Sequence, residues 1–291
     1  MASRFYIETL GCPKNEVDSE KLVGTLLAQG LTATDDESQA DVVVVNTCAF
    51  IEDARKESID TILALSDRRK KGARLVVTGC MAERYGDELR ANLPEADQIA
   101  GFGVAIATGV APAAAAATTA ITLGKKPSLI VASETVPSFD LLNLPRPKSH
   151  TPWAYVKIAE GCDRNCGFCA IPSFRGPQRS RDIDSILREV DDLQAKEIVL
   201  VAQDLASYGK DRPSELGAGS IVPLVRAVSA KVPRTRLLYL YPSDLTDDLI
   251  EAILASGVPY FDLSLQHVSK PHLRRMRRWG DGGFQIGRAH V

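Results

Sequence analysis

The amino-acid sequence predicts an α/β protein in which an N-terminal domain with a parallel sheet is followed by a partial βα barrel. Two observations support this prediction. Short apolar runs alternate with amphipathic helical patterns along most of the chain, as in proteins built on parallel sheets. The alternation stops at an alanine run, Ala113 to Ala117, and at a proline-rich stretch, Val136 to Pro147. We therefore expect a first domain over residues 1–135, a linker over 136–150 and a second domain over 151–285.

Composition limits the functions that the chain can have. Its 291 residues carry a net charge of −2, so charge alone gives no argument for a nucleic-acid or membrane partner. No apolar run approaches the ~20 residues of a membrane span, and the N-terminus lacks the apolar core of a signal peptide. We expect a cytoplasmic protein, whose six cysteines serve metal binding or catalysis and are not paired in disulfides.

Three strand and helix pairs are predicted in the first domain. The strands are expected at residues 4–10, 41–47 and 74–79. Helices are expected from a cap at Asp18 or Ser19 to about Gln29, from about 52 to 71, and from about 83 to 92.

A cysteine follows each of these three strands. Cys12, Cys48 and Cys80 stand at equivalent places, and the carboxyl ends of parallel strands meet at one edge of a sheet. We therefore expect the three thiols to converge on a metal site, and three thiolates suggest a cluster with one open iron. The alternative is three separately buried cysteines, because free cysteine is common in cores.

The second domain repeats the alternation. Its strands are expected at 153–160, 197–202, 236–241 and 260–265, and its helices at 184–195, 221–231 and 246–256. Polar pairs stand at the strand ends, where the ligands of α/β proteins bind; one of them is Gln203 with Asp204.

A further cysteine set follows the first of these strands in the spacing C-x3-C-x2-C. Cys162, Cys166 and Cys169 form it, and no fourth cysteine follows in the chain. Three thiolates leave one metal position open, as a catalytic site requires and a structural site avoids. A zinc knuckle or three unrelated buried cysteines are the alternatives. The spacing resembles the signature of the radical SAM enzymes, in which the open iron binds S-adenosylmethionine.

Taken together, these motifs resemble those of the methylthiotransferase family of radical SAM enzymes over nearly all of residues 4–281. The segments that carry the resemblance are Gly11-Cys12-Pro13-Lys14-Asn15, Val17-Asp18-Ser19-Glu20, Ala159-Glu160-Gly161-Cys162-Asp163, Cys169-Ala170-Ile171-Pro172, Phe174-Arg175-Gly176, Arg179-Ser180-Arg181, Leu263-Ser264-Leu265-Gln266-His267 and Leu273-Arg274-Arg275-Met276-Arg277-Arg278. Pro13-Lys14 is similar to the branch that modifies ribosomal protein uS12, since the branch that modifies tRNA typically has Gln-Met there. The second domain would then be a partial radical SAM βα barrel.

The resemblance implies two [4Fe–4S] clusters and S-adenosylmethionine as cofactors. Cys162, Cys166 and Cys169 would hold the cluster that binds and reduces S-adenosylmethionine, and Cys12, Cys48 and Cys80 an auxiliary cluster involved in sulfur delivery. Phe168, Gln203 and Asp204 are the candidate contacts of S-adenosylmethionine, and no catalytic side chain is assigned. The hard chemical step belongs to the cofactor, because no side-chain base removes a hydrogen from an unactivated carbon at neutral pH.

The implied reaction adds a methylthio group to the β-carbon of an aspartate in uS12, and the implied partners are uS12 and a reducing electron donor. The alternatives are a tRNA adenosine methylthiotransferase, an iron–sulfur electron-transfer protein, and a zinc-dependent nucleic-acid-binding module supported by the basic residues 274–278.

The family pattern stops near Asp281, and four barrel strands are fewer than radical SAM relatives carry. We therefore expect a C-terminally truncated chain, inactive as an enzyme, in which residues 286–291 are a non-native tail. The full-length protein is expected to be a monomer.

Overall fold

The computed structural model describes residues 2–109, 140–214 and 219–278, and two parallel sheets organise this part of the chain. The alanine run, residues 136–139 of the expected linker and the expected tail at 286–291 lie outside the described residues. The strands of the first half are β1 (Arg4–Thr9), β2 (Thr32–Ala33), β3 (Val42–Thr47), β4 (Arg74–Gly79) and β5 (Gln98–Ile99). Its helices are α1 (Pro13–Ala28), α2 (Glu52–Arg68) and α3 (Cys80–Asn92).

The first sheet has the strand order β2-β1-β3-β4-β5, and every neighbouring pair is parallel. β3 is central, and Val42, Val43, Val44 and Val45 are fully buried because helices cover both faces of the sheet. The predicted α/β fold with an N-terminal parallel sheet is confirmed, and the three predicted strands match β1, β3 and β4 within a residue or two.

The predicted start of the first helix was wrong. α1 begins at Pro13 with Cys12 as its N-cap residue, since proline suits the first helical position, where its missing N–H has no intrahelical partner. Asp18 and Ser19 lie inside this helix and are buried. The Ser19 hydroxyl accepts hydrogen bonds from Thr9 Oγ1 (2.6 Å) and Asn46 Nδ2 (2.9 Å), so it ties the helix to the sheet. α3 likewise begins earlier than predicted, at Cys80.

The second half contains β6 (Trp153–Lys157), β7 (Ala159–Glu160), β8 (Arg179–Ser180), β9 (Glu197–Val201) and β10 (Arg234–Leu237). Its helices are α4 (Ile171–Arg175), α5 (Ile183–Leu193), α6 (Val222–Ser229), α7 (Asp247–Leu254) and α8 (Lys270–Arg275). β6, β9 and β10 form a parallel sheet in the order β10-β9-β6, and β7 pairs antiparallel with β8. The helices α5, α6 and α7 pack against one face of the sheet and bury most of its apolar side chains.

Three predicted strands of this half differ from the observed ones. The strand predicted at 236–241 is observed as β10, which begins at Arg234 and ends at Leu237. The run 153–160 is two strands, because the chain leaves the parallel sheet after Lys157 and β7 pairs with β8. The run 260–265 forms only an isolated parallel bridge between Leu240 and Leu263. Its regular pairing is interrupted because Tyr239 has a positive φ of 66° and its N–H is bound by the Asp262 carboxylate at 2.9 Å.

Buried ion pairs join the two halves. Lys157 of β6 contacts Asp18 of α1, and both side chains are almost fully buried. Glu189 of α5 forms ion pairs with Lys21, Arg146 and Arg181. Three cations therefore share one carboxylate, which keeps the pKa of Glu189 below its usual value. Lys21 receives only part of that attraction, so burial prevails and lowers its pKa to about 7.

The described part of the expected linker, residues 140–150, is packed against both halves. Leu141 and Leu142 are buried, and the Leu142 carbonyl accepts a hydrogen bond from Lys21 Nζ at 2.5 Å. Arg146 contacts Glu20 of α1 and Glu189 of α5, so this segment takes part in holding the halves together. Across residues 2–109, 140–214 and 219–278, no helix combines the length and apolar character needed to cross a membrane.

Candidate metal and cofactor site

Cys12, Cys48 and Cys80 meet at the carboxyl edge of the first sheet, where they line one cavity of about 400 Å³. Cys12 caps α1, Cys48 follows β3, and Cys80 is the first residue of α3. Close approach at this edge requires Gly79, which has a φ of +90° and would place a Cβ atom 2.2 Å from Asn46 Oδ1. The parallel sheet therefore brings together three cysteines that are far apart in the sequence.

Side-chain hydrogen bonds fix the backbone around these cysteines. Asn15 Nδ2 donates to the carbonyls of Leu10 and Thr47, both at 2.9 Å, and so ties the loop after β1 to the end of β3. Ser58 Oγ accepts from the Cys48 N–H and donates to the Cys48 carbonyl, both at 3.1 Å. The loops that present the thiols are thus held by α1 and α2.

The second cysteine set lies in the loop after β7 and lines a neighbouring cavity of about 140 Å³. Gly161, with a φ of +79°, starts this loop; a Cβ atom there would lie 1.9 Å from the Pro177 carbonyl oxygen. The Cys162 N–H donates to the Gly176 carbonyl at 3.0 Å, and the Gly167 N–H to the Met276 carbonyl at 2.8 Å. The loop is therefore anchored at its start and at its centre.

Burial controls the protonation of several thiols. It raises the pKa of Cys162 to about 11, although the Arg164 N–H donates to its Sγ at 3.4 Å. Burial also raises the pKa of Cys80 and of Cys169. These cysteines are neutral thiols near pH 7 in the protein alone, so a metal group that binds their thiolates must displace protons.

Each cysteine set offers three thiols to one cavity. All six cysteines lie in the described part of the chain and are free. Three line the larger cavity and three the smaller one. A metal group held by three thiolates keeps one coordination position open, as catalytic metal sites do.

Phe168, Gln203 and Asp204 all line the cavity of the second cysteine set. Gln203 Nε2 donates to Glu160 at 2.7 Å, while its buried Oε1 has no hydrogen-bond donor among the described residues. Asp204 Oδ2 accepts from Arg164 Nε at 2.5 Å, and its buried Oδ1 also lacks a described donor. Phe168 is 53% exposed at the rim. Gln203 and Asp204 thus bring polar side chains to this cavity, and each has one buried oxygen without a hydrogen-bond donor among the described residues.

Sequence reasoning missed a stack of charged and aromatic side chains in this cavity. The guanidinium carbons of Arg164 and Arg278 each lie 3.9 Å from the ring centroid of Tyr241. Arg278 Nη1 also donates to Cys166 Sγ at 3.4 Å. Arg164 lies inside the cysteine motif and Arg278 in the segment 273–278 that carries the family resemblance, so both were available signals, but nothing local in the sequence points to their contact with Tyr241.

Lys14 lies at the cavity of Cys12, Cys48 and Cys80, whereas His267 lies away from both cavities. The ammonium of Lys14 lies 3.6 Å from the centroid of the Tyr239 ring and lines the cavity of Cys12, Cys48 and Cys80. Burial lowers the pKa of Lys14. His267 accepts a hydrogen bond from the Ser269 N–H and stacks on His272 with ring centroids 4.4 Å apart, and it lines neither cavity.

The two cavities are neighbours with a common wall. The residues that line both are Phe50, Ile171, Gln203, Tyr239 and Ser264. These residues come from the end of the first sheet, from α4 and from the ends of the second sheet. The two cysteine sets therefore lie on either side of the same five residues.

Two family models match the chain. The one described as "Uncharacterized protein family UPF0004" matches residues 4–101, and the one described as "Radical SAM superfamily" matches residues 156–282. Each match contains one of the two cysteine sets.

Curated relatives and solved structures agree with these matches. The ribosomal protein uS12 methylthiotransferase RimO of Anaeromyxobacter sp. (strain K) is 43% identical, and the alignment covers 98% of this chain and 60% of that protein. RimO of Saccharopolyspora erythraea is 44% identical, with 95% of this chain and 62% of that protein covered. The chain thus spans about three fifths of the length of these relatives.

Two solved structures share the fold at low sequence identity. The cobalamin-dependent S-adenosylmethionine radical enzyme OxsB has a TM-score of 0.53 and 10% identity, over 98% of this chain and 47% of its own. The radical S-adenosylmethionine methyltransferase TsrM from Kitasatospora setae has a TM-score of 0.50 and 14% identity, over 97% of this chain and 62% of its own. The motifs, the fold and the relatives thus agree: over nearly its whole length the chain is similar to the methylthiotransferases of the radical SAM superfamily.

Proposed function

We propose that this chain belongs to an enzyme that adds a methylthio group to the β-carbon of an aspartate of ribosomal protein uS12. The observation that carries the proposal is the pair of cysteine sets, which line adjoining cavities with a common wall. Such an arrangement lets one substrate side chain lie between two metal groups. The names of the relatives supply the substrate.

Cys162, Cys166 and Cys169 would hold a [4Fe–4S] cluster with S-adenosylmethionine on its open iron. This group supplies a carbon-centred radical strong enough to abstract hydrogen from an unactivated carbon. Gln203 and Asp204 line this cavity and would supply acceptors for the donors of S-adenosylmethionine, and Phe168 would offer a face for its adenine. Arg164 holds the Asp204 carboxylate in place.

Cys12, Cys48 and Cys80 would hold the auxiliary [4Fe–4S] cluster. Their cavity of about 400 Å³ is large enough for a group of this kind and extends to the common wall. Phe50, Ile171 and Tyr239 in that wall present apolar surface, which keeps water away from the space between the two groups. A reducing electron donor and uS12 are the proposed partners. The full-length protein is proposed to be a cytoplasmic monomer, since a modifier of a ribosomal protein meets its substrate in the cytoplasm.

The alternatives fit the site less well. An electron-transfer protein would favour clusters with four protein ligands, whereas each cavity here offers three cysteines. A tRNA substrate is less favoured because both of these RimO relatives carry uS12 in their names. A zinc module would favour a closed site with four ligands, whereas each cavity here offers three cysteines.

Metal analysis and product analysis test this proposal. After anaerobic reconstitution with iron and sulfide, we expect about eight irons per chain, four for each cysteine set. Replacing Cys162, Cys166 and Cys169 together by alanine should leave about four, and replacing the other three should also leave about four. The two triple variants are each other's controls. Full iron retention in either variant would contradict the assignment of that set.

The separate roles of the two sets are tested with Cys80→Ala. This variant should still form 5′-deoxyadenosine from S-adenosylmethionine with dithionite, at about the rate of the unaltered protein. In the full-length protein it should no longer transfer a methylthio group to uS12. Loss of S-adenosylmethionine cleavage in a folded Cys80→Ala variant would argue against the division of roles.

A further inference from the structure

Arg175, in the segment Phe174-Arg175-Gly176, is not part of either cysteine set, yet it lies at the cavity of Cys12, Cys48 and Cys80. It is the last residue of α4, and only 2% of its side chain is exposed. A buried guanidinium next to a proposed cluster has a consequence for that cluster, because charge and hydrogen bonds near the sulfurs set the reduction potential.

The two ends of the Arg175 guanidinium serve different partners. Nη1 donates to Glu160 Oε1 at 2.9 Å and to Asp18 Oδ2 at 3.3 Å. Nη2 donates to Cys80 Sγ at 3.0 Å and to Asn15 Oδ1 at 3.0 Å. The plane of the guanidinium is thereby fixed, with one edge on the carboxylates and the other on the sulfur. Its central carbon also lies 4.0 Å from the Phe102 ring centroid, which restricts it further.

The charges around Arg175 leave its Nη2 edge available to the sulfur. Asp18 and Glu160 also accept from Lys157, so two carboxylates face two cations in this buried group. The nearby carboxylates keep Arg175 charged and hold its pKa well above the ordinary value, in spite of burial. A thiolate at Cys80 would add a negative charge, and Arg175 Nη2 is already placed to bind it.

The three cysteines of this cavity differ in the side-chain hydrogen bonds that their sulfur atoms accept. Among the described residues, neither Cys12 Sγ nor Cys48 Sγ accepts a side-chain hydrogen bond, whereas Cys80 Sγ accepts one from a buried cation. The pattern is therefore specific to Cys80. An N–H···S bond from a cation withdraws charge from the sulfur and stabilises the more negative, reduced state of a cluster.

We propose that Arg175 is a positioning residue of the auxiliary site, which orients the Cys80 thiolate and makes the cluster held by Cys12, Cys48 and Cys80 easier to reduce. This inference rests on the proposed function, because it requires a cluster at that site. The role belongs to a residue that is not a cluster ligand, and it can be tested by measuring the reduction potential of the cluster, without any enzymatic turnover.

The test isolates the auxiliary cluster in a chain whose Cys162, Cys166 and Cys169 are replaced by alanine. In this background, Arg175→Lys and Arg175→Met are reconstituted anaerobically and titrated with a reductant while the cluster is followed by electron paramagnetic resonance. We expect a reduction potential below that of the background for Arg175→Lys, and a lower one still for Arg175→Met. Lysine keeps the charge but cannot serve the sulfur and the carboxylates in the same planar geometry.

Arg181→Lys in the same background is the matched control. Arg181 is also a buried arginine of this half, and it donates to the Lys157 carbonyl at 2.9 Å without contacting a sulfur. Its replacement should leave the potential and the resonance spectrum unchanged. A shift as large as that of Arg175→Lys would assign the effect to general loosening of the protein and overturn the inference.

The outcomes distinguish the inference from the proposed function. If the background chain binds no iron at Cys12, Cys48 and Cys80, the proposed function and the inference both fail. If iron binds and the potential is the same with Arg175, Lys or Met, only the inference fails. If Arg175→Met does not fold, the test rests on Arg175→Lys. An unchanged reduction potential in folded Arg175→Lys would then refute the proposed role of Arg175.

Discussion

The ion pair between Lys157 and Asp18 gives a quantitative test of how the two halves are held together. Lys157 is 0% exposed and Asp18 is 2% exposed, and Lys157 Nζ also donates to Glu160 Oε2 at 2.7 Å. Lys157→Met fills a similar volume but leaves the buried Asp18 carboxylate and the Glu160 carboxylate, which is 16% exposed, with Arg175 as the remaining cation of this group. Removing one partner of such a pair costs about 3–5 kcal/mol. The total free energy of unfolding of a domain is only about 5–15 kcal/mol, so this loss should be a large fraction of it and easy to measure.

Urea unfolding followed by circular dichroism measures the effect of Lys157→Met. A loss of this size should lower the urea midpoint by about 1–2.5 M, taking a slope of ~2–3 kcal/mol per M. Lys231→Met is the control, since Lys231 and Asp191 form an ion pair in which the two side chains are 34% and 57% exposed. Exposed pairs contribute about 0–1 kcal/mol. A loss below about 1 kcal/mol for Lys157→Met would refute the reasoning.

The destabilisation caused by Lys157→Met should also depend on pH, in a direction that the structure predicts. In the unaltered protein, Arg175 and Lys157 hold the pKa of Glu160 below its usual value, so this stabilising charge is present above about pH 4.3 and is lost as the pH falls further. Without Lys157, the Glu160 carboxyl group should take up a proton at a higher pH, because one of the two cations that lower its pKa is gone. The destabilisation by Lys157→Met should therefore be smaller at pH 5 than at pH 7. A penalty that grows on acidification would contradict this account.

Three further predictions follow from other parts of the structure. The pKa of Lys21, about 7, lies below that of an unfolded lysine, so the unfolded chain binds more protons between about pH 7 and 10 and the stability should rise with pH in that range. Lys21→Met should flatten this rise, measured by urea unfolding at pH 7, 8 and 9. The same increase of stability with pH in the variant and in the unaltered protein would count against the prediction. Gly161→Ala places a Cβ atom 1.9 Å from the Pro177 carbonyl oxygen, and we expect a loss of about 3 kcal/mol or more, measured by thermal unfolding, whereas Gly72→Ala, which meets no atom within 4 Å, should lose less. Arg164→Lys should weaken S-adenosylmethionine binding to the reconstituted protein about tenfold or more in calorimetry; unchanged affinity with normal iron content would contradict the role given to Arg164.

Local patterns in the sequence were sufficient to predict much of the fold. The all-valine run of β3 is typical of a strand buried on both faces, and parallel strands end at one edge, so a shared location for Cys12, Cys48 and Cys80 could be inferred from their positions after successive strands. The start of α1 could also have been predicted, because Pro13 was a stronger signal than Asp18.

Other features depend on contacts that a local pattern does not encode. The run 260–265 has the composition of a strand, yet the Asp262 carboxylate binds the backbone of Tyr239 and prevents regular pairing. The contact between Arg175 and Cys80 joins residues 95 positions apart. This contact depends on how α4 packs against α3 in the folded chain, and no local sequence pattern in either helix predicts it.

The way in which α1, α2 and α3 begin has an electrostatic consequence for the cavity of Cys12, Cys48 and Cys80. Cys12 caps α1, Cys80 opens α3, and α2 starts four residues after Cys48, so all three helices have their N-terminal ends at this cavity. The aligned peptide dipoles of a helix give its N-terminus about half a positive charge, which favours anions there. Thiolates and a negatively charged cluster would therefore be stabilised by the backbone itself, before any side chain contributes. The strand-to-helix turns that define this fold thus provide a setting suited to negative charge at the place where the chain puts its cysteines.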